Sequence, residues 1–518
     1  MNANLPIDFT NRMKEMLGDE YDAFMQSYDL PHFRGLRFNP LKNENISGYV
    51  RGEGISGNTF ALQPVPWCKS GYYYDENMTP GKHPLHAAGA YYIQEPSAMA
   101  VGETVGKLIK EWYDKHGDSR DIRILDLCAA PGGKTTHIAG YMKGRGILVA
   151  NEIVPSRAAI LSQNVERMGI RNCVVTNESP DSLAKHIGAF FDIVVVDTPC
   201  SGEGMMRRDD IARTEWSPQN VQMCAKRGQE ILDYAEQMLL SGGKLVYSTC
   251  TFAIEEDEMA ICNFINNHIS YKVVPIVGLC DEKAPDMARD EKCDCMSNYP
   301  ISAGRAIWSD GSVEGIEYTM RLWPHILQGE GHYLAVMQKG EDEDIVATAR
   351  DDRNVIKGKD VNSIRECEKM WQVLSKDILV AECELRECST DRLRLFGDNL
   401  YLIPHDCICI NGVKTLRVGL HLAIVKKDRL EPAHAMAAAL RTSELKQYVC
   451  LDTDSADAGR FLSGESLGID DKLVINDEDD RKENGWMPVT VGEYTLGWGK
   501  RTGAILKNHY PKGLRIMR

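Results

Sequence analysis

The sequence predicts an α/β protein built on a doubly wound parallel sheet. Three observations carry that expectation. From residue 122 to about 265, short apolar runs alternate with segments of helical spacing. The first run, Ile122 to Leu127, breaks into Cys128-Ala129-Ala130-Pro131-Gly132-Gly133, and a helix resumes at Lys134. Such a strand, small-residue turn and helix start open a dinucleotide-type unit, where a ligand can approach the backbone and meet free N–H groups. The second run ends in Glu152, about twenty residues after the turn, where an acid suits ribose hydroxyls. Two plainer readings of the turn compete. Gly133-Lys134-Thr135 fits the end of a phosphate-binding loop, but Cys128 stands where its first glycine belongs. A packing turn is the other.

The elements follow in order. Residues 7 to 27 place Phe9, Met13, Met16, Leu17 and Phe24 near one face of an amphipathic helix. Residues 32 to 42 hold Arg34, Arg37 and Lys42 with Phe33 and Phe38 between them and no acid. That pattern suits RNA, and equally a short strand with solvated charges. A Pro- and Tyr-rich stretch, 64 to 98, leads into a helix after Pro96. Strands are expected at 122–127, 146–151, 173–176, 192–197 and 244–249, with helices at 134–143, 155–167, 180–187 and 218–240. The last helix opens on Ser217 and Pro218 and stops at Gly242-Gly243. A helix from about 255 has Glu255, Glu256, Asp257 and Glu258 at its positive end. Residues 276 to 320 are irregular. Cys280, Cys293 and Cys295 match no common zinc spacing, so no metal is expected. The stretch Arg321 to Gln338 ends in a strand that closes the sheet. The domains expected are 1–89, an α/β body at 90–340, an acidic linker at 341–362, a small α+β unit at 363–435, and 436–518. From 499 onward there are six Lys or Arg and no acid, a footprint for phosphate, and Trp498, Ile505, Leu506, Tyr510 and Leu514 mark it as folded.

The 518 residues exceed what one core accommodates. No apolar run reaches membrane-spanning length, and the first residues lack the basic and apolar regions of a signal peptide. Sixteen cysteines in so long a chain read as reduced core residues, which points to the cytoplasm. A net charge of −15 argues mildly against nucleic acid, but binding uses local patches.

The fourth strand ends Asp197-Thr-Pro-Cys200 and the fifth ends Ser248-Thr-Cys-Thr251. In a sheet of order 3-2-1-4-5 these strands are neighbours, so Cys200 and Cys250 share one rim beside the ligand crevice. Two thiols and an acid at a nucleoside-type site suggest covalent catalysis. A pyrimidine's carbon 5 is a poor nucleophile until a thiolate adds to carbon 6. The resulting enamine can take a methyl from a sulfonium, and a base then removes the carbon 5 proton so that the thiol leaves. The plain alternative is two small buried cysteines.

At these residues the chain resembles the RNA cytosine-5 methyltransferases of the Nol/Nop/Sun family. Leu127-Cys-Ala-Ala-Pro-Gly-Gly-Lys134, Asp197-Thr-Pro-Cys200 and Ser248-Thr-Cys-Thr251 carry the resemblance. Ser201-Gly-Glu-Gly-Met-Met206, Pro324-His325, Gly329-Glu-Gly331 and Lys507-Asn-His-Tyr-Pro-Lys-Gly-Leu-Arg515 are similar to its bacterial small-subunit rRNA methyltransferase F subfamily. The resemblance implies a Rossmann-like methyltransferase domain, an N-terminal RNA-binding extension and a PUA-like RNA-binding domain at the C-terminus. It implies S-adenosylmethionine on Cys128 to Lys134 with Glu152 on its ribose, Cys250 as nucleophile, Cys200 as the thiol assisting release, and Asp197 between cofactor and cytosine. The residues alone do not rank the two thiols, since DNA cytosine-5 enzymes use the Pro-Cys thiol. The family often has Asp in the loop after the third strand. Counting from Glu152, this chain has Ser179 there, so Asn177 or Glu178 are further candidates for the adenine amine. The implied substrate is RNA, foremost 16S rRNA or the small ribosomal subunit, acted on by a monomer. The alternatives are tRNA cytosine-5 methylation and a non-catalytic ribosome-assembly factor. Adenine amino methylation fits less well, because Asp197-Thr-Pro-Cys200 lacks the aromatic of the Asp/Asn-Pro-Pro-aromatic motif.

Overall fold

A computed structural model describes residues 5–42, 62–276, 302–341 and 358–516, apart from 454, 470 and 478–481. At its centre lies a mixed sheet. Its main strands are β1 (Arg123–Asp126), β2 (Ile147–Asn151), β3 (Cys173–Thr176), β4 (Phe191–Asp197), β5 (Leu239–Thr249) and β6 (His332–Lys339). They run in the order β3-β2-β1-β4-β5-β6. The first five are parallel, and β6 closes the sheet antiparallel to β5. This is the 3-2-1-4-5 order expected, and the reason is the burial of both sheet faces. Ile124, Leu125, Leu148, Val149, Val174, Val175 and Ile193 to Val196 are all 0 or 1% exposed. At the far edge Thr415–Val418, a strand from the C-terminal half, pairs antiparallel with β3.

Three local expectations change. The helix over 7–27 is two helices, Ile7–Leu17 and Tyr21–Ser27, broken at Gly18, whose φ is +54°. Their buried face, Phe9, Met13, Leu17 and Phe24, packs with Trp216, Phe252 and Trp323 of the central body. The helix Pro218–Met238 stops short of Gly242-Gly243, which lie inside β5. Leu239 is fully buried and pairs with Phe191, and that contact ends the helix where the sequence offers no glycine. Finally, the helix expected from about 255 starts at Glu258, and Glu256, Asp257 and Glu258 are buried, at 2, 0 and 0% exposure. Arg321 accounts for two of them. Its Nε donates to Glu258 Oε1 at 2.8 Å and its NH2 lies 3.1 Å from Asp257 Oδ2. Removing one side of such a buried pair costs about 3–5 kcal/mol, so these acids fix the turn after β5.

The C-terminal basic run is part of a six-stranded sheet, in strands Tyr494–Thr502 and Ile505–Asn508. Trp498, Leu506 and Tyr510 are buried, whereas Ile505 and Leu514 are exposed. Arg501 faces inward, donating to the carbonyls of Gly503 and Lys482. Cys280, Cys293 and Cys295, and residues 342–357 of the acidic linker, lie outside the described residues. The described cysteines are free and mostly buried. Among the described residues no helix is long and apolar enough to cross a membrane.

Candidate active site

The turn after β1 is built on Gly132, whose φ of +110° other residues rarely adopt, and on the helix Gly133–Met142 that follows. The turn is held from several sides. Asn164 Nδ2 donates to the Pro131 carbonyl at 2.8 Å, and Arg157 NH2 to the Ala130 carbonyl at 2.9 Å. Beneath it, Arg37 of the N-terminal extension is fully buried and donates to Thr136 Oγ1 at 2.9 Å and Gln94 Oε1 at 3.1 Å. Burial pushes Arg37 down to about 10, below the usual guanidinium range. Arg37 therefore fastens the extension to the turn and is not available to RNA. Lys42, on the Ala88 carbonyl, and Phe38 are buried too. Of the basic and aromatic side chains in this stretch, His32, Phe33 and Arg34 keep partial exposure.

Glu152 stands just past β2 and is 3% exposed. Its Oε1 accepts from Val154 N at 2.9 Å, and Arg157 lies 3.3 Å from its Oε2. In the loop after β3 the three candidates differ. Ser179 donates its hydroxyl to Asp181. Glu178 Oε1 accepts from Lys414 N at 2.7 Å. Asn177 is buried, its Nδ2 donates to the Glu152 carbonyl at 2.7 Å, and its Oδ1 has no partner among the described residues. Asp126, at the end of β1, accepts from Thr135 Oγ1 at 2.6 Å, while its other oxygen also has no partner among the described residues. Burial pushes its carboxyl up to about 7.

The two cysteines meet as the strand order requires. Asp197 and Ser248 are register partners on β4 and β5, and Thr198 N donates to the Ser248 carbonyl at 3.1 Å. Three residues beyond Asp197 and two beyond Ser248, Cys200 Sγ lies 3.3 Å from Cys250 Sγ, and the hydroxyls of Ser201 and Thr251 are 2.7 Å apart. Gly204 closes the loop over them. Its N–H donates to the Cys250 carbonyl at 2.9 Å, and a Cβ there would sit 2.9 Å from that oxygen. Asp197 joins Lys134 Nζ at 2.7 Å and accepts from Ser248 Oγ at 2.7 Å. Burial alone would raise the Asp197 carboxyl, but Lys134, His332 and Ser248 outweigh it and hold it below the usual range. Burial likewise would lower Lys134, yet Asp197 and then Cys250 keep its ammonium above the usual range. Contact with Cys250 first, then burial, then the Glu256 carboxyl push the Cys200 thiol well above the ordinary thiol range. Cys128 is likewise pushed up, by burial, and is an inert part of the turn.

Sequence reasoning placed Lys134 in the cofactor turn and missed its ion pair with Asp197. It missed His332 as well. This imidazole is 3% exposed, 3.8 Å from Asp197 Oδ1, and held neutral by burial, which lowers it to about 3. Its position directly after Gly329-Glu-Gly331, on the strand beside β5, was the available signal. Glu256 was expected at the positive end of the helix after β5, which starts only at Glu258. Glu256 is buried, takes the Ser201 N–H on Oε2 at 2.9 Å, and is pushed up to about 8 by burial. Cys68, Glu103 and His137 also come together, with ligand-type atoms within 4.8 Å. Hydrogen bonds account for that cluster: Glu103 accepts from Tyr141 OH at 2.6 Å, and His137 Nε2 lies 3.3 Å away.

The sheet order, the turn after β1 and the strand-end acids define a Rossmann-like methyltransferase of the S-adenosylmethionine-dependent class. Solved structures agree on the fold. A methyltransferase homolog protein from Pyrococcus horikoshii aligns at TM-score 0.51 and 23% identity, over 65% of this chain and 96% of its own. NSun6 from the same organism, solved with SFG, aligns at TM-score 0.50 and 18% identity, over 66% of this chain and all of its own. Family models tile the chain. That of the 16S rRNA methyltransferase RsmB/F matches residues 116–338, flanked by the N-terminal domain of 16S rRNA methyltransferase RsmF over 5–96. The RsmF first C-terminal domain matches 380–440, and the RsmF PUA domain 448–516. The chain belongs to the RsmB/F family of 16S rRNA methyltransferases, with the domain set of its RsmF branch. Curated relatives named ribosomal RNA small subunit methyltransferase F align end to end. The one from Vibrio vulnificus is 29% identical over 99% of this chain and 98% of its own length. The one from Aeromonas salmonicida is 28% identical over the same shares.

Proposed function

We propose that this chain is a cytoplasmic, monomeric enzyme that methylates carbon 5 of a cytosine in 16S rRNA, using S-adenosylmethionine. The names of its end-to-end relatives support the substrate. One observation carries the chemistry: two thiols 3.3 Å apart whose surroundings differ. Lys134 bears on Cys250, and the Glu256 carboxyl bears on Cys200. Lys134 stands as a cation beside Cys250, while Cys250 itself, burial and the Glu256 carboxyl hold the proton on Cys200, which supports Cys250 as the nucleophile.

The residues fit the cofactor. Asn177 Oδ1 is a buried acceptor without a donor, suited to an adenine amine, and Glu152 lies at the strand end where ribose hydroxyls belong. The turn Cys128-Ala129-Ala130-Pro131-Gly132-Gly133-Lys134 offers backbone to the methionine side, with Asp197 between it and the base. Asn177 is favoured over Ser179, whose hydroxyl is engaged by Asp181. When bound, S-adenosylmethionine supplies an electrophilic methyl on a sulfonium. Cys250 adds to carbon 6 of the cytosine. The Asp197–Lys134 pair faces the ring edge, and Lys134 shares a proton with nitrogen 3 as negative charge builds there. With Cys250 tied to carbon 6, the contact that most strongly held the Cys200 proton is gone. Cys200 loses that proton to solvent, accepts the one on carbon 5, and the electron pair of that C–H bond forms the carbon 5–carbon 6 double bond as Cys250 leaves.

Bisulfite sequencing of 16S rRNA and tRNA, from cells with the protein, without it, and with Cys250→Ala alone, tests this reading. A 5-methylcytosine in 16S rRNA should vanish in the latter two. Its persistence with Cys250→Ala would leave an assembly factor or another nucleophile, and its loss from tRNA instead would move the substrate.

A further inference from the structure

The N-terminal extension and the loop after β4 enclose a cavity of about 220 Å³ that the proposed chemistry does not use. His32, Phe33, Arg34, Tyr74, Glu95 and Arg208 line it. Its charge balance is positive. The Glu95 carboxylate is consumed by the N–H groups of Ser97, Ala98 and Glu330 and by the Ser97 hydroxyl. Arg34 donates Nε to His32 Nε2 at 3.2 Å and NH1 to the Glu76 carbonyl at 3.0 Å, which aims the guanidinium without neutralising it. Arg208 is exposed and has no ion-pair partner among the described residues. Burial, then Arg34, lower the His32 imidazole below its usual range, so it serves as an acceptor. Phe33 and Tyr74 supply ring surface, and Arg207 already lies 5.4 Å from the centre of the Phe33 ring.

One residue, Glu330, lies between the cavity and the loop over the thiols. Glu330 accepts from Phe33 N at 3.0 Å and from Arg207 Nε at 2.7 Å. The Glu330 carbonyl lies 3.0 Å from where a Gly204 Cβ would be, and Gly204 N donates to the Cys250 carbonyl. Arg208 follows Arg207 directly. The cavity thus adjoins the rim where the reacting base must sit, on the side of the N-terminal extension.

We infer that this cavity holds a nucleotide next to the target cytosine, its base against Phe33 and Tyr74 and its phosphate on Arg34 and Arg208. This rests on RNA as the substrate. Guanidinium groups take phosphate and aromatic rings take unstacked bases in single-stranded RNA. The volume suits one base, so the site positions a single neighbour of a target already out of its stack.

The test uses the full chain and small subunits reconstituted on unmodified 16S rRNA transcript. Arg208→Ala, which removes no side-chain hydrogen bond or ion pair among the described residues, should raise KM about tenfold with kcat within twofold, and Arg34→Ala/Arg208→Ala should raise it further. The log–log salt slope of binding should fall by about one per arginine removed. Unchanged KM and slope in both variants would overturn the inference while leaving the methylation reading intact. A second readout separates the two. In transcript carrying 5-fluorocytidine and 4-thiouridine, fluorine cannot leave carbon 5 as a proton does, so a Cys250 adduct accumulates. Photocrosslinks from that adduct should map to peptides containing Phe33 or Tyr74. An adduct with crosslinks elsewhere overturns the subsite alone. No adduct overturns the covalent reading, and the binding measurements still decide the subsite.

Discussion

The ends of β4 and β5 carry the same residue type at matched height, yet they are different places chemically. At the end of β5, Cys250 has the Lys134 ammonium nearby, itself anchored by Asp197 at 2.7 Å. At the end of β4, Cys200 has the buried Glu256 carboxyl on the next residue's N–H. A cation lies beside one sulfur and an acid beside the other, and the acid is among the contacts that hold the Cys200 proton, although the sulfurs are only 3.3 Å apart. The asymmetry comes from distant segments, a helix start and a turn after β5, so the local motifs Pro-Cys and Thr-Cys do not contain it.

Removing Cys250 is the largest perturbation. Cys250→Ala should lose all methylation and form no covalent RNA complex, while RNA binding stays within twofold; a denaturing gel with fluorinated substrate and a filter assay measure these. Cys200→Ala should also lose turnover, but differently. It keeps the nucleophile, so methylated RNA should remain attached to Cys250 as a slow, denaturant-resistant band. If the band came from Cys250→Ala instead, the two roles would be exchanged. Adduct from neither, with both variants active, would return both cysteines to packing. Next in size is the anchor. Asp197→Ala or Lys134→Met should lower kcat by about 10²–10³, the usual cost of one preorganised group facing developing charge. Both variants should keep their thermal midpoint, because Asp197 is partly exposed. Near-normal turnover in both would detach the cation from the chemistry.

How much of this was legible depended on whether a signal was local. The sheet order followed from alternating apolar runs, and the meeting of Cys200 and Cys250 followed from the order. The end of the helix before β5 was misplaced because the burial of Leu239 against Phe191 is a tertiary effect that overrides glycine as a stop signal. The burial of Glu256, Asp257 and Glu258 was not legible because acids at a helix start fit its positive end whether exposed or internal, and their partners, Ser201 for Glu256 and Arg321 for the other two, lie more than fifty residues away. Arg37 deceived for the same reason, since a basic residue among aromatics looks like an RNA contact until Thr136 and Gln94 are seen around it. The C-terminal basic run does carry lysines, but it cannot be removed as a tail. Truncation at 499 would delete half of the strand Tyr494–Thr502 and all of Ile505–Asn508.

The smallest effect tests the acid side of the comparison. Glu256 is buried, and burial pushes its carboxyl up to about 8, against about 4.3 in an unfolded chain. Between those values the folded state holds a proton that the unfolded state has released. Glu256 therefore favours folding fully below pH about 4.3, and this contribution is lost as pH rises to about 8. Glu256→Gln cannot ionise, and its side-chain oxygen can still accept the Ser201 N–H. The urea midpoint of the wild-type chain should fall between pH 5 and pH 9, and the fall should be smaller in the variant. Asp126, also raised by burial, to about 7, should supply part of the slope that remains. Equal slopes in the two proteins would mean that Glu256 is already charged in the folded state. Cys200 would then face a carboxylate at neutral pH, and the difference between the thiols would be larger than a neutral acid provides. A smaller slope in the variant keeps Glu256 protonated beside Cys200 and leaves Lys134 as the one charge that distinguishes the two sulfurs.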